Sequence, residues 1–267
     1  MQHRNAQAIE FAEQQYLRSR VAGLAALPGN PYRALLSGSD RCGAFVLGAS
    51  NSPMLNRVQG DGVQDGAALA ALLGQYAAYS PVVALIGAST KVPDTLELAG
   101  QPLCKLRGWT HVQMTASLDS LPGSVVPGEI ELVTAATLGD FARLHGEGFA
   151  KNHEARQLNQ AAFGALLEDS RAALYLLREQ GVAVAGAALF AASNGVAYLG
   201  TAFTSKAARG RGYHRLLIAQ RIHQARAWGC QQVAATALAS SQSRRNLQHC
   251  GLQLSHAQSL YRLAAVP

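Results

Sequence analysis

The spacing of apolar and polar positions divides the chain into a regular series of elements. In residues 3–26 apolar side chains recur at helical intervals, and Gly29, Asn30 and Pro31 end the pattern. Residues 44–47 and 56–58 read as short strands around a loop carrying Ser50, Asn51, Ser52 and Pro53. Asp65 is placed to cap a helix reaching Tyr79. Residues 82–86 form an apolar run of strand type, and a helix is expected between Thr95 and Leu106, ending at Gly108. Residues 109–116 alternate as a half-buried strand does. Pro122, Gly123, Pro127 and Gly128 then mark residues 118–128 as a linker.

Beyond the linker the order is strand, two helices, three strands, helix, strand, helix, strand. The predicted strands are residues 130–133, 172–178, 182–190, 196–203, 232–238 and 255–263. The predicted helices are 137–149, 160–167, 212–228 and 241–249. Phe141, Leu144 and Phe149 share a face of the first helix, and Leu216, Ala219, Ile222 and Arg226 share one in the third. His153 and Glu154 fall in an expected loop. The order describes an α/β chain with a mixed sheet, divided at 1–120 and 129–267.

Composition narrows the class. Apolar residues make up 49% and charged residues 15%, a balance that suits a packed globular chain and not a disordered one. The chain start is polar, the apolar runs are too short to span a bilayer, and no membrane partner is expected. Cys42, Cys104, Cys230 and Cys250 are scattered without paired spacing, so neither a disulfide framework nor a metal site is expected, and a reducing cytoplasm fits.

Charge adds more. The net charge is +7, and from Gln180 to the last residue there is no Asp or Glu, while nine Lys and Arg occur there. Such a segment fits an anionic ligand, either nucleic acid or a phosphate-bearing cofactor; a solvated basic face is the alternative. With aromatics at 6% and no helix-turn-helix or stacking motif, nucleic acid is the weaker reading.

The chemistry concentrates in Arg209, Gly210, Arg211, Gly212, Tyr213 and His214, between a strand and a long helix. Amides at a helix start have no intrahelical acceptor, the helix dipole favours an anion there, glycines allow close approach, and arginines match phosphate oxygens. A dinucleotide loop would need a third glycine where Arg215 stands, and the Gly-Lys-Ser/Thr of a Walker loop is absent. The expected ligand is a phosphate or pyrophosphate.

Arg209 and Gly212, with His214 where a small residue is usual, resemble the coenzyme A pyrophosphate loop, Arg-x-x-Gly-x-Gly/Ala, of the GNAT (Gcn5-related N-acetyltransferase) family. The element order after Glu129 is similar to that fold, and Ser243, Arg244, Arg245 and Asn246 leading to Cys250, Gly251 and Leu252 resemble its last helix. The resemblance covers about half the chain. In the first half, residues 55–60 and 106–109 resemble a segment that precedes the acetyltransferase domain in some bacterial two-domain members. There it is a degenerate copy of the same fold; an unrelated α/β domain is the alternative.

The resemblance implies an acyltransferase moving an acetyl or other short acyl group from acetyl-coenzyme A to an amine by direct attack, with no metal. Backbone groups of Ala202, Phe203 and Thr204 would meet the pantetheine arm, Arg209 to His214 the pyrophosphate, and Asn246 the pantetheine or thiol end. A general base would come from upstream of Gln180, with Glu147 the leading candidate and His145, His153 and Glu154 behind it. The family's tyrosine, four residues before the glycine that ends its last helix, is replaced by Leu247. His249 would then serve as acid, with Cys250 and Tyr261 as lesser candidates. A small-molecule amine is the expected partner, and a homodimer is compatible. The alternative function is a non-catalytic acyl-coenzyme A sensor or assembly module.

Overall fold

The computed structural model describes residues 2–87, 91–123, 129–149 and 152–264. Twelve strands and six α-helices follow one another among these residues. The described residues group into two compact units. The first takes residues up to Gln113, together with Ala237–Ser240 and the residues from Ser255 onward; the second takes Met114–Thr236 and Ser241–Leu254.

The first unit begins with α1 (Gln2–Ala25), β1 (Ala34–Gly38), β2 (Gly43–Leu47), β3 (Arg57–Gln59), α2 (Gly66–Gln75), β4 (Val82–Gly87), β5 (Thr95–Leu98) and β6 (Gln101–Ser117). β1 lies beyond the sequence reading, which assigned no element there. β1–β2 and β2–β3 are antiparallel, and β3–β4 is parallel. A core of Val46, Val58, Leu69, Leu73, Val83, Leu98, Leu103 and Tyr261 seats α2 on these strands. α1 is buried over much of its circumference, which forces its polar residues to find partners inside. Glu10 accepts from Gln258 at 2.7 Å and lies 2.7 Å from His256 Nε2. Glu13 accepts from Gln113 at 3.1 Å and also from Gln258, and faces Arg57 at 3.6 Å. Removing one member of such a network would strand a buried charge. Burial lowers the pKa of the nearby His111, with the Glu13 charge opposing that shift.

The helix expected between Thr95 and Leu106 is instead a hairpin. β5 and β6 pair with Leu98 opposite Gln101, and Ala99 and Gly100 between them have φ of 47° and 82°. Two consecutive positive-φ residues make the tight turn whose twist matches paired strands. Leu98 and Leu103 meet in the core from opposite arms of that hairpin. Asp65 does precede α2, but its carboxylate accepts from Asp61 N–H and makes no cap bond.

The second unit contains β7 (Ile130–Leu132), α3 (Leu138–Phe149), α4 (His153–Leu167), β8 (Ala172–Glu179), β9 (Val182–Ala191), β10 (Val196–Thr204), α5 (Tyr213–Ala227), β11 (Gln232–Leu238) and α6 (Gln242–His249). Its strands run in the order β11-β10-β9-β8-β7, antiparallel except for the parallel β10–β11 pair. α3 and α5 both pack on β9, which is why that strand is almost wholly buried and built from alanines and Gly186. The last strand, β12 (Gln253–Leu263), pairs antiparallel with β4, so the chain's end belongs to the first unit. By contact, the compact units are thus discontinuous along the sequence. Of the expected linker, residues 118–123 are held: Arg226 on α5 donates to the carbonyls of Leu118, Leu121 and Pro122 at 2.8, 2.6 and 3.3 Å. Residues 124–128 lie outside the described residues.

Three further expectations shift. α4 starts at His153, because Asn152 caps it by accepting from Ala155 N–H at 2.9 Å; His153 and Glu154 thus sit on a helix and not in a loop. Phe149 departs from the face shared by Phe141 and Leu144 and is 59% exposed. α5 buries Leu217, Ile218, Arg221, Ile222 and Ala225, a face displaced from the one through Leu216 and Ala219.

Candidate functional site

A cleft of about 1090 Å³ lies within the second unit, where the ends of β10 and α3 meet the starts of α5 and α6. Each element reaches it for a local reason. β10 keeps its parallel ladder with β11 from Val196 to Tyr198, while its antiparallel ladder with β9 continues to Thr204. Ala202, Phe203 and Thr204 lie beyond the β11 ladder and line the cleft. A bulge at Gly200 and Thr201 separates the two stretches. Arg221, 1% exposed, fixes it by donating to Ala188 O at 3.1 Å and Gly200 O at 3.3 Å, and it is tied to its own helix through Leu217 O at 3.0 Å.

The Phe203 ring turns away from solvent onto Phe141, with centroids 4.9 Å apart, and near His145 at 5.8 Å. Gly186 makes room for it: a Cβ there would lie 2.6 Å from the ring. With the side chain so engaged, the backbone is what Phe203 offers the cleft.

The loop after β10 turns twice through positive φ, 83° at both Gly210 and Gly212, before α5 begins. At the helix start Arg215 N–H donates to Gly212 O at 2.9 Å. The amides from Arg211 to His214 precede it, at the positive end of the helix dipole. Arg209 and Gly210 line the cleft with Gly212, Tyr213 and His214. Arg209 stays exposed, its Nε 3.3 Å from Thr204 O.

Arg211 is the exception. It is absent from the cleft lining, and its Nη1 donates to both oxygens of Glu179 at 2.6 and 2.7 Å. Tyr213 donates to the same carboxylate at 2.6 Å. The Tyr213 bond and then Arg211 hold Glu179 below the usual carboxylate range.

α6 brings Asn246 and His249, both lining the cleft. Asn246 Oδ1 accepts from Gln242 Nε2 at 3.1 Å, and its Nδ2 lies 2.9 Å from His214 Nδ1. This orientation makes Nδ1 the acceptor and leaves the His214 proton on Nε2. Burial, and then the Arg221 charge, push the His214 pKa down to about 4, so the ring is neutral at pH 7. Leu247, at the position of the expected tyrosine, is buried and does not line the cleft. Burial raises the Cys250 thiol, and Tyr261 is buried in the first unit's core, donating to Pro93 O at 2.9 Å.

On the opposite wall, Glu147 is half exposed and accepts from Arg143 at 2.7 Å. His145 is buried between the rings of Phe163 and Phe149, at 4.8 and 4.9 Å, and does not line the cleft. Sequence reading missed Arg156, Lys206, Arg215 and Arg245 as lining residues. The last three lie in the acid-free segment, which was the available signal. Among the described residues no cluster of three or more His, Cys, Asp or Glu could hold a metal ion, and no helix is long and apolar enough to cross a membrane.

Residues 139–252 match the model of the acetyltransferase (GNAT) family. No curated protein matches the chain. Among solved structures, the chain is similar to a GCN5-related N-acetyltransferase from Kribbella flavida, with 16% identity over 95% of this chain and 96% of that one, and a TM-score of 0.56. A GNAT-family structure from Novosphingobium aromaticivorans DSM 12444 aligns at 15% identity over 92% and 97%, with a TM-score of 0.56. A protein of unknown function from Staphylococcus epidermidis ATCC 12228 aligns at 7% identity over 88% and 96%, with a TM-score of 0.59. These likenesses establish the fold, and the matched stretch contains every lining residue of the cleft. Residues 139–252 are thus similar to the acetyltransferase (GNAT) family, and the fold is the one seen in GCN5-related N-acetyltransferase structures.

Proposed function

We propose that the second unit binds acetyl-coenzyme A in this cleft and transfers its acyl group directly to the amine of a small molecule. The observation that carries the reading is that one cavity joins the Gly210–Gly212 helix start to the β10 edge beyond the β11 ladder. The first presents amides and cations to phosphate, and the second presents backbone groups to an amide-rich arm. The donor set fits the ligand: an added Cβ at Gly210 meets nothing within 4 Å, so that side of the loop is open.

Acyl-coenzyme A would supply the thioester. Arg209 and the amides up to His214 would hold its pyrophosphate, with Lys206, Arg215 and Arg245 adding charge. Backbone N–H groups of Ala202, Phe203 and Thr204 would pair with the pantetheine arm and stabilise the oxyanion formed as the amine attacks. Asn246 and His214 would flank that arm. Glu147 remains the candidate base, receiving the amine's proton, and His249 the candidate acid for the departing thiolate. The proposal keeps 129–267 as the acyltransferase range and a GNAT-like origin for the first half, in a cytoplasmic setting.

A second reading is a sensor that binds acyl-coenzyme A without turnover. It is favoured by the buried Leu247 in place of a tyrosine and by the Arg143 partner on Glu147. Thiol release from acetyl-coenzyme A with a panel of amines separates the two: an enzyme releases thiol in step with acylated amine, and a sensor binds without releasing it.

A further inference from the structure

The acceptor wall differs in charge from one built for a polycation. Glu147 is the one carboxylate among the described lining residues, and it is engaged by Arg143. Arg156, on α4, lines the same cleft. Its stem is laid over α3 at Gly146, where an added Cβ would come within 3.1 Å of Arg156 Cγ and 3.7 Å of its Nε. That glycine lets the side chain lie close over the helix, and Arg156 lines the cleft. Among the described residues no carboxylate pairs with Arg156, so its fork of donors is available. Leu144 and the exposed Phe149 ring supply apolar surface beside it.

Resting on the acyltransferase reading, we infer that the acceptor is a small amine that also carries a carboxylate, with Arg156 binding that carboxylate and the apolar patch receiving an apolar side chain. A guanidinium matches a carboxylate with two parallel donors. A polyamine or polyamino sugar would instead meet Arg156 and the cations of the loop with one carboxylate to offset them, which opposes its approach.

The test uses the full chain, acetyl-coenzyme A and five amines: L-leucine, L-phenylalanine, their methyl esters, and spermidine. Initial rates are read as thiol release, and acylated products by mass spectrometry. The expected result is acetylation of the free amino acids with kcat/KM at least tenfold above their esters, and spermidine below both. The esters have the less basic amines and react more readily at neutral pH, so this order opposes intrinsic reactivity. Arg156→Ala should raise KM for the free acids about tenfold, abolish the preference over the esters and leave kcat within about twofold. Arg156→Lys should recover part of the KM, since charge returns without the fork. Equal use of acid and ester, preference for spermidine, an unchanged acid-to-ester ratio in Arg156→Ala, or no acetylation of either amino acid would each overturn the inference. Thiol release with any amine of the panel, spermidine included, separates this failure from failure of the acyltransferase reading, and calorimetry with coenzyme A on wild type and Arg156→Ala checks that cofactor binding is equal in both.

Discussion

Asn246 Nδ2 lies 2.9 Å from His214 Nδ1, and the amide is oriented for that contact because Gln242 donates to its oxygen. The pair joins the second residue of α5 to the middle of α6 beside the cleft. His214 is half-buried there, and a histidine is tolerated at such a site only with its polar atoms satisfied. Its low pKa, about 4, gives a sign that can be checked. The folded value lies below the ordinary one near 6.5, so the unfolded chain binds the proton first as pH falls. The stability contributed by neutral His214 is complete above about pH 6.5 and is lost as pH drops toward 4, by at most about 3 kcal/mol. His214→Gln should flatten that part of the melting temperature against pH curve. A curve of unchanged slope between pH 6.5 and 4 would remove His214 as its source.

Arg221 is the buried counterpart of that pair. It holds the β10 bulge through Ala188 O and Gly200 O, and its charge helps keep His214 neutral. Arg221→Met should destabilise the protein by roughly 2–4 kcal/mol, the scale for losing charged hydrogen bonds that leave buried carbonyls unpaired. It should also raise the His214 pKa, read by NMR titration. A stable variant with an unmoved His214 titration would show that the bulge is held by other contacts.

The two loop arginines should differ. Arg209 faces the cleft, whereas Arg211 is bound by Glu179. Arg209→Ala should weaken coenzyme A by about tenfold to a hundredfold, with a shallower dependence on salt. Arg211→Ala should change affinity by less than about threefold. Titration calorimetry at two ionic strengths compares them; equal losses would mean that Arg211 leaves Glu179 when phosphate binds.

Ala99 occupies a positive-φ position of the β5–β6 turn that asparagine fills at less strain. Ala99→Asn should stabilise the protein by about 0.5–1 kcal/mol in urea unfolding. Destabilisation would argue for a different turn.

The glycine turn and helix start at residues 209–214 were legible because their signal is local. Glycines at positive φ, flanking arginines and a following helix are adjacent in sequence, and a strand precedes them. The regular order of elements after Glu129 was legible from periodicity for the same reason. What escaped depends on distant residues. Arg211 and Arg209 look alike in sequence, and only the arrival of Glu179, 32 positions earlier, turns one away. Arg221 reads as a polar helix position, but its carbonyl partners lie on β9 and β10. The hairpin at residues 95–106 is hard to read from sequence because its turn, Ala99 and Gly100, carries no Asn-Gly. Nothing local in the sequence announces that β12 will pair with β4.

If Glu147 takes the amine's proton, Glu147→Gln should lower turnover by roughly 10²–10⁴ at neutral pH, with a smaller defect at high pH where the amine is already neutral. Coenzyme A affinity should be unchanged. Equal pH–rate profiles for variant and wild type would pass the role to a water chain or His249.

The central claim is that the helix start at Gly212 holds the pyrophosphate of acyl-coenzyme A. Isothermal titration of acetyl-coenzyme A into wild type and Gly212→Val, each checked for folding by circular dichroism, tests it most directly. Gly212 has φ of 83°, a conformation that valine resists, and valine would also place methyl groups where the phosphate approaches. The account predicts saturable binding to wild type and a loss of at least tenfold in the folded variant. Unchanged affinity in folded Gly212→Val, or no binding to wild type, would contradict it.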